Sequence, residues 1–194
     1  MSDDNSSNLI PPHGGYQKLQ SYQMSEIVYD ATVKFCARFI DKFSRTTDQM
    51  VQAARSGKQN IAEGCMASGT SKKTELKLMN VARASLEELL LDYQDYLRQH
   101  NLQLWGKDNL KAKEIRAKCY EKDRSYMTYK TYIEDSSAEV SANTMICLIH
   151  QANYLLDQQL RTLEKEFLEK GGFTEKLYTM RKEKRKKEEE NKKE

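Results

Sequence analysis

After Pro11 and Pro12 the chain runs 182 residues without another proline. Proline is the residue that most firmly breaks a helix, and nothing beyond position 12 imposes such a break. Apolar residues in this stretch recur at three- and four-residue steps, the period of a helix with one buried face. No segment alternates as a half-buried strand does, and no internal repeat is present. The expectation is an all-α fold.

The spacing divides the chain as follows. Residues 1–15, with Pro11, Pro12, Gly14 and Gly15, read as a flexible leader. A first helix over about 19–44 carries Met24, Ile27, Val28, Ala31, Phe35, Phe39, Ile40 and Phe43 on one face. Thr46 and Gln49 form a capping-box pattern that opens a second helix over 47–65. Its inward face, Met50, Ala53, Ala54, Gly57, Ile61 and Gly64, is small, which lets a neighbouring helix approach closely. Ser71 caps a third helix over 72–100, with Glu75 suited to its positive end. Met79, Ala82, Leu86, Leu89, Tyr93 and Leu97 form its seam, widened by Leu76 and Leu90.

Beyond His100 the pattern weakens. Residues 108–122 read as a short charged helix and 123–135 as irregular. Ser136 and Glu139 then cap a helix over 137–169, seamed by Met145, Ile149, Ala152, Leu156, Leu160 or Gln159, Leu163 and Phe167, and Gly171-Gly172 stops it. The expected architecture is an up-down four-helix bundle over 16–170, with an elaborated connection between helices three and four. A suffix and charged tail occupy 171–194.

Charge bounds the function. Residues 181–194 hold eight basic and five acidic side chains, a surplus of three that equals the whole chain's +3. Residues 1–180 therefore carry 24 of each sign. A neutral body argues against a dedicated duplex-DNA binder, whose affinity comes mainly from Lys and Arg on phosphates. No apolar run reaches the ~20 residues needed to cross a bilayer, and the first ten residues are unlike a signal peptide. A cytoplasmic protein without membrane association is expected. Cys36, Cys65, Cys119 and Cys147 lie far apart, with no CxxC, and read as reduced thiols.

Catalytic signatures do not emerge. Leu97 and Cys147 stand three residues before His100 and His150, where a di-iron bundle needs Glu. Gly64 to Ser71 falls into the frame of a phosphate-binding loop, but Thr70 replaces the lysine and a helix precedes it instead of a strand. No catalytic residue, metal ligand or cofactor is expected.

The stretch QMVQAARSGKQNIAEG, residues 49–64, is the most informative. Asn60 and Glu63 lie on a closely packed helix, where they either satisfy neighbouring polar groups or contact a ligand. Together with KLMNVARASLEELLLDY at 77–93 and Tyr16-Gln17-Lys18-Leu19, this stretch resembles the four-helix-bundle proteins first described from intervening sequences of bacterial 23S ribosomal RNA genes. That family is also similar to the accessory protein of diversity-generating retroelements. The matching positions are Gln49, Ala53, Ser56, Asn60, Ile61, Ala62, Glu63 and Gly64, then Ala82, Ser85, Leu86 and Glu88. The region after Trp105 resembles the family variant named for a C-terminal suffix. The resemblance implies a homo-oligomer, specifically a ring-shaped pentamer, and a structural role for Asn60, Ile61, Glu63, Gly64, Ser85 and Glu88. Gln52 stands where the family tends to have a basic residue, and Gly57-Lys58 where it has Ile-Pro.

Candidate nucleic-acid contacts are Arg55, Lys58, Lys72, Lys73 and Lys77, a local patch that assembly around a ring would multiply. The alternative is that these cations only solubilise outer helix faces. Tyr120, Tyr126, Tyr129 and Tyr132, interleaved with Lys122, Arg124 and Lys130, suit a bundle cap or subunit interface better than base stacking. The charged tail reads as an exposed helix or as disorder. The functional expectation is a non-enzymatic, self-associating accessory or scaffold protein of nucleic-acid-associated machinery. The alternative is a protein-interaction module with no nucleic-acid role.

Overall fold

The computed structural model describes residues 13–191, so most of the expected leader and the last three tail residues lie outside it. The described chain is helical, with no strand. A single 3-10 turn at Tyr16–Lys18 precedes α1 (Gln20–Phe39), α2 (Arg45–Ala67) and α3 (Lys72–Gln99). Then come α4 (Leu110–Lys118), α5 (Tyr126–Glu134), α6 (Ala138–Lys170) and α7 (Phe173–Glu190). Among the described residues no helix is long and apolar enough to cross a membrane.

The four long helices neighbour one another in a cycle, α1 to α2 to α3 to α6 and back to α1. They enclose one core, and every residue of the expected inward face of α2 is buried. So are Met79, Ala82, Leu86, Leu89, Tyr93 and Leu97 of α3 and Met145, Ile149, Ala152 and Leu156 of α6. Phe35 anchors one end of that core, with its ring edge-on to Tyr93 at 4.9 Å and to Tyr96 at 5.0 Å. The Tyr93 hydroxyl donates to Thr32 Oγ1 at 3.1 Å, and the Thr32 hydroxyl donates to its own helix at Val28 O. Burying these two hydroxyls therefore leaves neither without a partner.

Several boundaries differ from the sequence reading. The first helix stops at Phe39, not at 44, because Ile40 turns extended and the Asp41 carboxylate accepts the Phe43 N–H at 2.7 Å. Phe43 is consequently 86% exposed instead of lying on the inner face. Ser44, not Thr46, caps α2 and accepts from the Thr46 N–H. Ser71 caps α3 as expected, accepting from Thr74 N at 3.1 Å. Ser137 caps α6, while the Ser136 hydroxyl donates to Tyr132 O.

The expectation of an irregular 123–135 is wrong. Tyr126–Glu134 is helical, and the Ser125 N–H donates to Thr128 Oγ1 at 3.1 Å, a hydroxyl version of the capping reciprocity. α4 lies on α6, and α5 lies on α1 and α6, forming a second layer. Its effect on α6 is marked: Ser141 through Ile149 are nine consecutive buried residues, so this part of α6 is covered on all sides. Buried polar groups there hold the second layer down. Asn143 donates to Gln103 O at 2.8 Å and accepts from Trp105 N at 2.8 Å. From the other side the Arg38 guanidinium donates to Ile133 O and Ser136 O, closing the end of α5.

The small face of α2 sets the spacing of the core. A Cβ built on Gly57 would lie 2.8 Å from Leu86 Cγ and Cδ2, whereas one on Gly106 meets nothing within 4 Å. Overfilling such a seam costs on the order of 1–3 kcal/mol, beyond the intrinsic helix preference of the new residue. Gly57→Val should lower the melting temperature by roughly 6 °C, at about 3 °C per kcal/mol for a chain of this size. Gly106→Ala should leave it unchanged, and thermal unfolding followed by circular dichroism distinguishes the two.

Candidate functional site

Ser56, Asn60, Ile61, Gly64 and Ser85 lie together where α2 crosses α3. Gly57 faces Leu86, and Gly64 faces Met79, Leu78 and the carbonyl of Glu75, so the two backbones approach closely along this line. Beside the contact Asn60 donates through Nδ2 to Ser56 O at 2.8 Å and to Ser56 Oγ at 3.1 Å. Ser85 of α3 donates to Ser56 Oγ at 3.1 Å. A polar chain from Asn60 through Ser56 to Ser85 thus ties the helices at mid-length, and Ile61 is fully buried behind it. Glu63 and Glu88 point outward and are exposed, outside that network.

The five candidate cations do not form one cluster. Gly57 opposite Leu86 and Gly64 opposite Met79 fix an antiparallel register, which places Arg55 level with Glu88. Lys77 lies eleven residues before Glu88, about 16 Å along α3 at 1.5 Å per residue. Arg55, Lys73 and Lys77 are exposed. Lys58 instead turns toward α1, with Nζ 4.7 Å from the Tyr29 ring centre and 4.0 Å from Glu26. Lys72 holds Glu75 at 2.8 Å, and the Glu75 side chain is only 7% exposed. Two of the five are therefore engaged within the fold.

The Tyr-rich segment is likewise occupied. Tyr129 is fully buried and its hydroxyl donates to Cys119 Sγ at 3.5 Å. Tyr126 donates to Glu134 at 2.6 Å and Tyr132 to Glu114. Tyr120, by contrast, is 73% exposed. All four cysteines are free thiols, and burial pushes Cys36 up to about 12 and Cys147 up to about 11. Such thiols stay protonated near neutral pH and are poor nucleophiles. The turn resembling a phosphate loop is crossed by the chain's own leader: a Cβ on Gly69 would fall 2.9 Å from the His13 ring, and Cys65 Sγ donates to Gly14 O.

Two features escaped the sequence reading. On the α3–α6 side Arg83 bonds Glu87 at 2.6 Å and Asp157 at 3.1 Å, and Asn153 donates to Glu87 at 3.2 Å. The i to i+4 spacing of Arg83 and Glu87 is the only signal of this network in the sequence. From the Ser56–Ser85 contact to the far end of the α2–α3 seam, two open depressions that share Gln49 form a trough. Its carboxylates are Asp41, Asp48, Glu88, Asp92 and Asp95, and Phe39 and Tyr96 contribute rings. Burial, together with neighbouring Glu88 and Asp95, raises the Asp92 carboxyl above the usual range. Among the described residues no group of three or more His, Cys, Asp or Glu side chains is arranged to hold a metal ion.

No family model, curated protein or solved structure matches this chain.

The Lys72–Glu75 pair has a definite pH signature. Burial is the largest influence on Glu75 and raises its titration, Lys72 opposes that rise, and Glu166 adds to it. A carboxyl titrating higher in the folded than in the unfolded chain loses stability as pH rises through its folded value, and Lys72 offsets that loss. Lys72→Ala should cost about 1–2 kcal/mol at pH 7, a value below that of fully buried pairs because Lys72 is partly solvated. The deficit should shrink as pH falls toward the ordinary carboxylate range and Glu75 becomes neutral. Urea unfolding of both chains across that pH range measures it.

Proposed function

We propose that this protein is a self-associating up-down four-helix bundle, akin to the 23S ribosomal RNA intervening-sequence proteins. In this reading it serves as a non-enzymatic accessory or scaffold protein of cytoplasmic nucleic-acid-associated machinery, assembling as a ring-shaped pentamer. One observation carries the reading. Of the positions that carry the resemblance, Ser56, Asn60, Ile61, Gly64 and Ser85 converge on the α2–α3 seam, where Gly64 lets the helices pack closely and Ser56, Asn60 and Ser85 tie them by hydrogen bonds. A motif used in this way fixes architecture, and the function then resides on the outer faces.

On those faces Arg55, Lys73 and Lys77 supply the phosphate contacts. A single copy carries them apart, so useful affinity requires several copies in one assembly. The second reading is a protein-interaction module, favoured by the engagement of Lys58 and Lys72 inside the fold and by exposed apolar side chains such as Leu91, 55% exposed, and Tyr154, 54% exposed.

Retention of a fluorescent single-stranded RNA, measured by anisotropy in about 0.1 M salt, separates them. The scaffold reading expects binding that weakens steeply with salt and falls tenfold or more in the Arg55→Glu, Lys73→Glu, Lys77→Glu chain, since each lost contact removes released counterions. Equal behaviour of the two chains removes these three cations from the interface. No retention of RNA or DNA at any salt favours the interaction module.

A further inference from the structure

The last helix meets its own chain at its root, where Phe173, Lys176 and Met180 face Ser68, Gly69 and Lys72 across a depression. None of its described residues is buried, yet one side of α7 carries Leu177 and Tyr178 followed by Arg181, Lys182, Arg185 and Lys186 before Glu189 ends it. A helix that is apolar at its root and basic along one stripe is shaped for a surface that is aromatic and acidic in the same order. The trough at the far end of the α2–α3 seam is such a surface. Asp92 and Asp95 lie beside the rings of Phe39 and Tyr96, Glu88 and Asp48 continue the acidic line, and Phe43 stands 86% exposed nearby. Two cations belong to the same region: Arg45 lines the trough, and Arg98 pairs with Asp95 at 2.9 Å. The carboxylates outnumber them and repel one another around Asp92, a repulsion that a cationic helix would relieve.

Reach decides whose trough it is. α7 starts beside Ser68 and Lys72, at the opposite end of α3 from the trough. Arg181 to Lys186 lie 8–13 residues beyond Phe173, about 12–20 Å along a helix, whereas Asp92 lies 20 residues beyond Lys72, about 30 Å. The basic stripe of a helical α7 falls short of the Asp92 and Asp95 end of the trough on its own chain. We infer that α7 of one copy docks, through its Leu177, Tyr178 and Arg181–Lys186 face, in the acidic trough of a second copy. The contact joins unlike surfaces at opposite ends of the molecule, so it is head to tail and propagates until it closes on itself. It rests on the self-association proposed above and names the surfaces responsible for it.

Light scattering coupled to size exclusion, with the full chain at a series of concentrations, tests the contact. Two charge-reversed chains are needed, Arg181→Glu, Lys182→Glu, Arg185→Glu on α7 and Glu88→Lys, Asp95→Lys on the trough, all at exposed positions, with circular dichroism confirming helix content. The natural chain should exceed monomer mass at low salt and dissociate toward 1 M salt, where the screening length is about 3 Å. Each reversed chain should need at least about tenfold more protein for half-assembly, and a chain carrying both reversals should recover most of that loss. If the natural chain assembles and both reversed chains assemble equally well, the α7–trough contact is wrong while self-association stands. If the natural chain is monomeric throughout, both fail. If reversing α7 abolishes retention of a single-stranded RNA without changing mass, α7 serves nucleic acid and the inference is overturned.

Discussion

The approach of α2 to α3 is the constraint on which the rest of this structure depends. Gly57 and Gly64 remove the side chains that would hold the helices apart, and Leu86 and Met79 fill the space so created. With the two backbones this near, Ser85 reaches Ser56 across the seam, and the Asn60 amide finds acceptors on its own helix. Burial of Met50, Ile61 and the α3 seam follows from the same spacing, since dispersion contacts fall away steeply with small gaps. Small residues on one helix and large ones on its neighbour thus specify a register as well as a distance.

A second layer solves a problem that the long connection creates. Residues between α3 and α6 carry too few apolar side chains for a core of their own, with Ala112, Ile115, Tyr129 and Ile133 the main buried ones of α4 and α5. They are ordered by lying on α6 and α1, and α6 answers with nine buried residues in succession. Ser141, Asn143 and Thr144 within that run are polar groups in a dry place, and each is hydrogen-bonded. Asn143 in particular converts an unavoidable desolvation into the anchor that fixes Trp105.

The electrostatics are organised by position more than by amount. Cations expected to act together are separated along the α2–α3 seam, and those nearest the fold are drawn into it by Tyr29, Glu26 and the nearly buried Glu75. Carboxylates gather at one end of the α2–α3 seam, and basic side chains gather on a helix that leaves the body at the other end. A neutral body with a basic tail is therefore a molecule with two differently charged ends, which a total charge cannot express.

The helical class, the four long helices and most of the core followed from the sequence, because side chains three and four apart share a face whatever surrounds them. The inner face of α2 was legible in full for this reason, and Ser71 was legible as a cap because its role is completed within one turn. α5 was not, since it is only nine residues long and its cap uses Thr128 in place of the usual acid or amide. Nor was the fate of the lysines: the sequence shows a charge, and only the fold shows whether Tyr29 or Glu75 stands beside it. What the sequence determined by itself was everything set by neighbours along the chain, namely periodicity, caps and the small face that invites close packing. The tertiary structure alone decided which cations remain free, where acidic residues from three different segments converge, and that α6 is covered on all sides, because each depends on groups brought together across tens of residues.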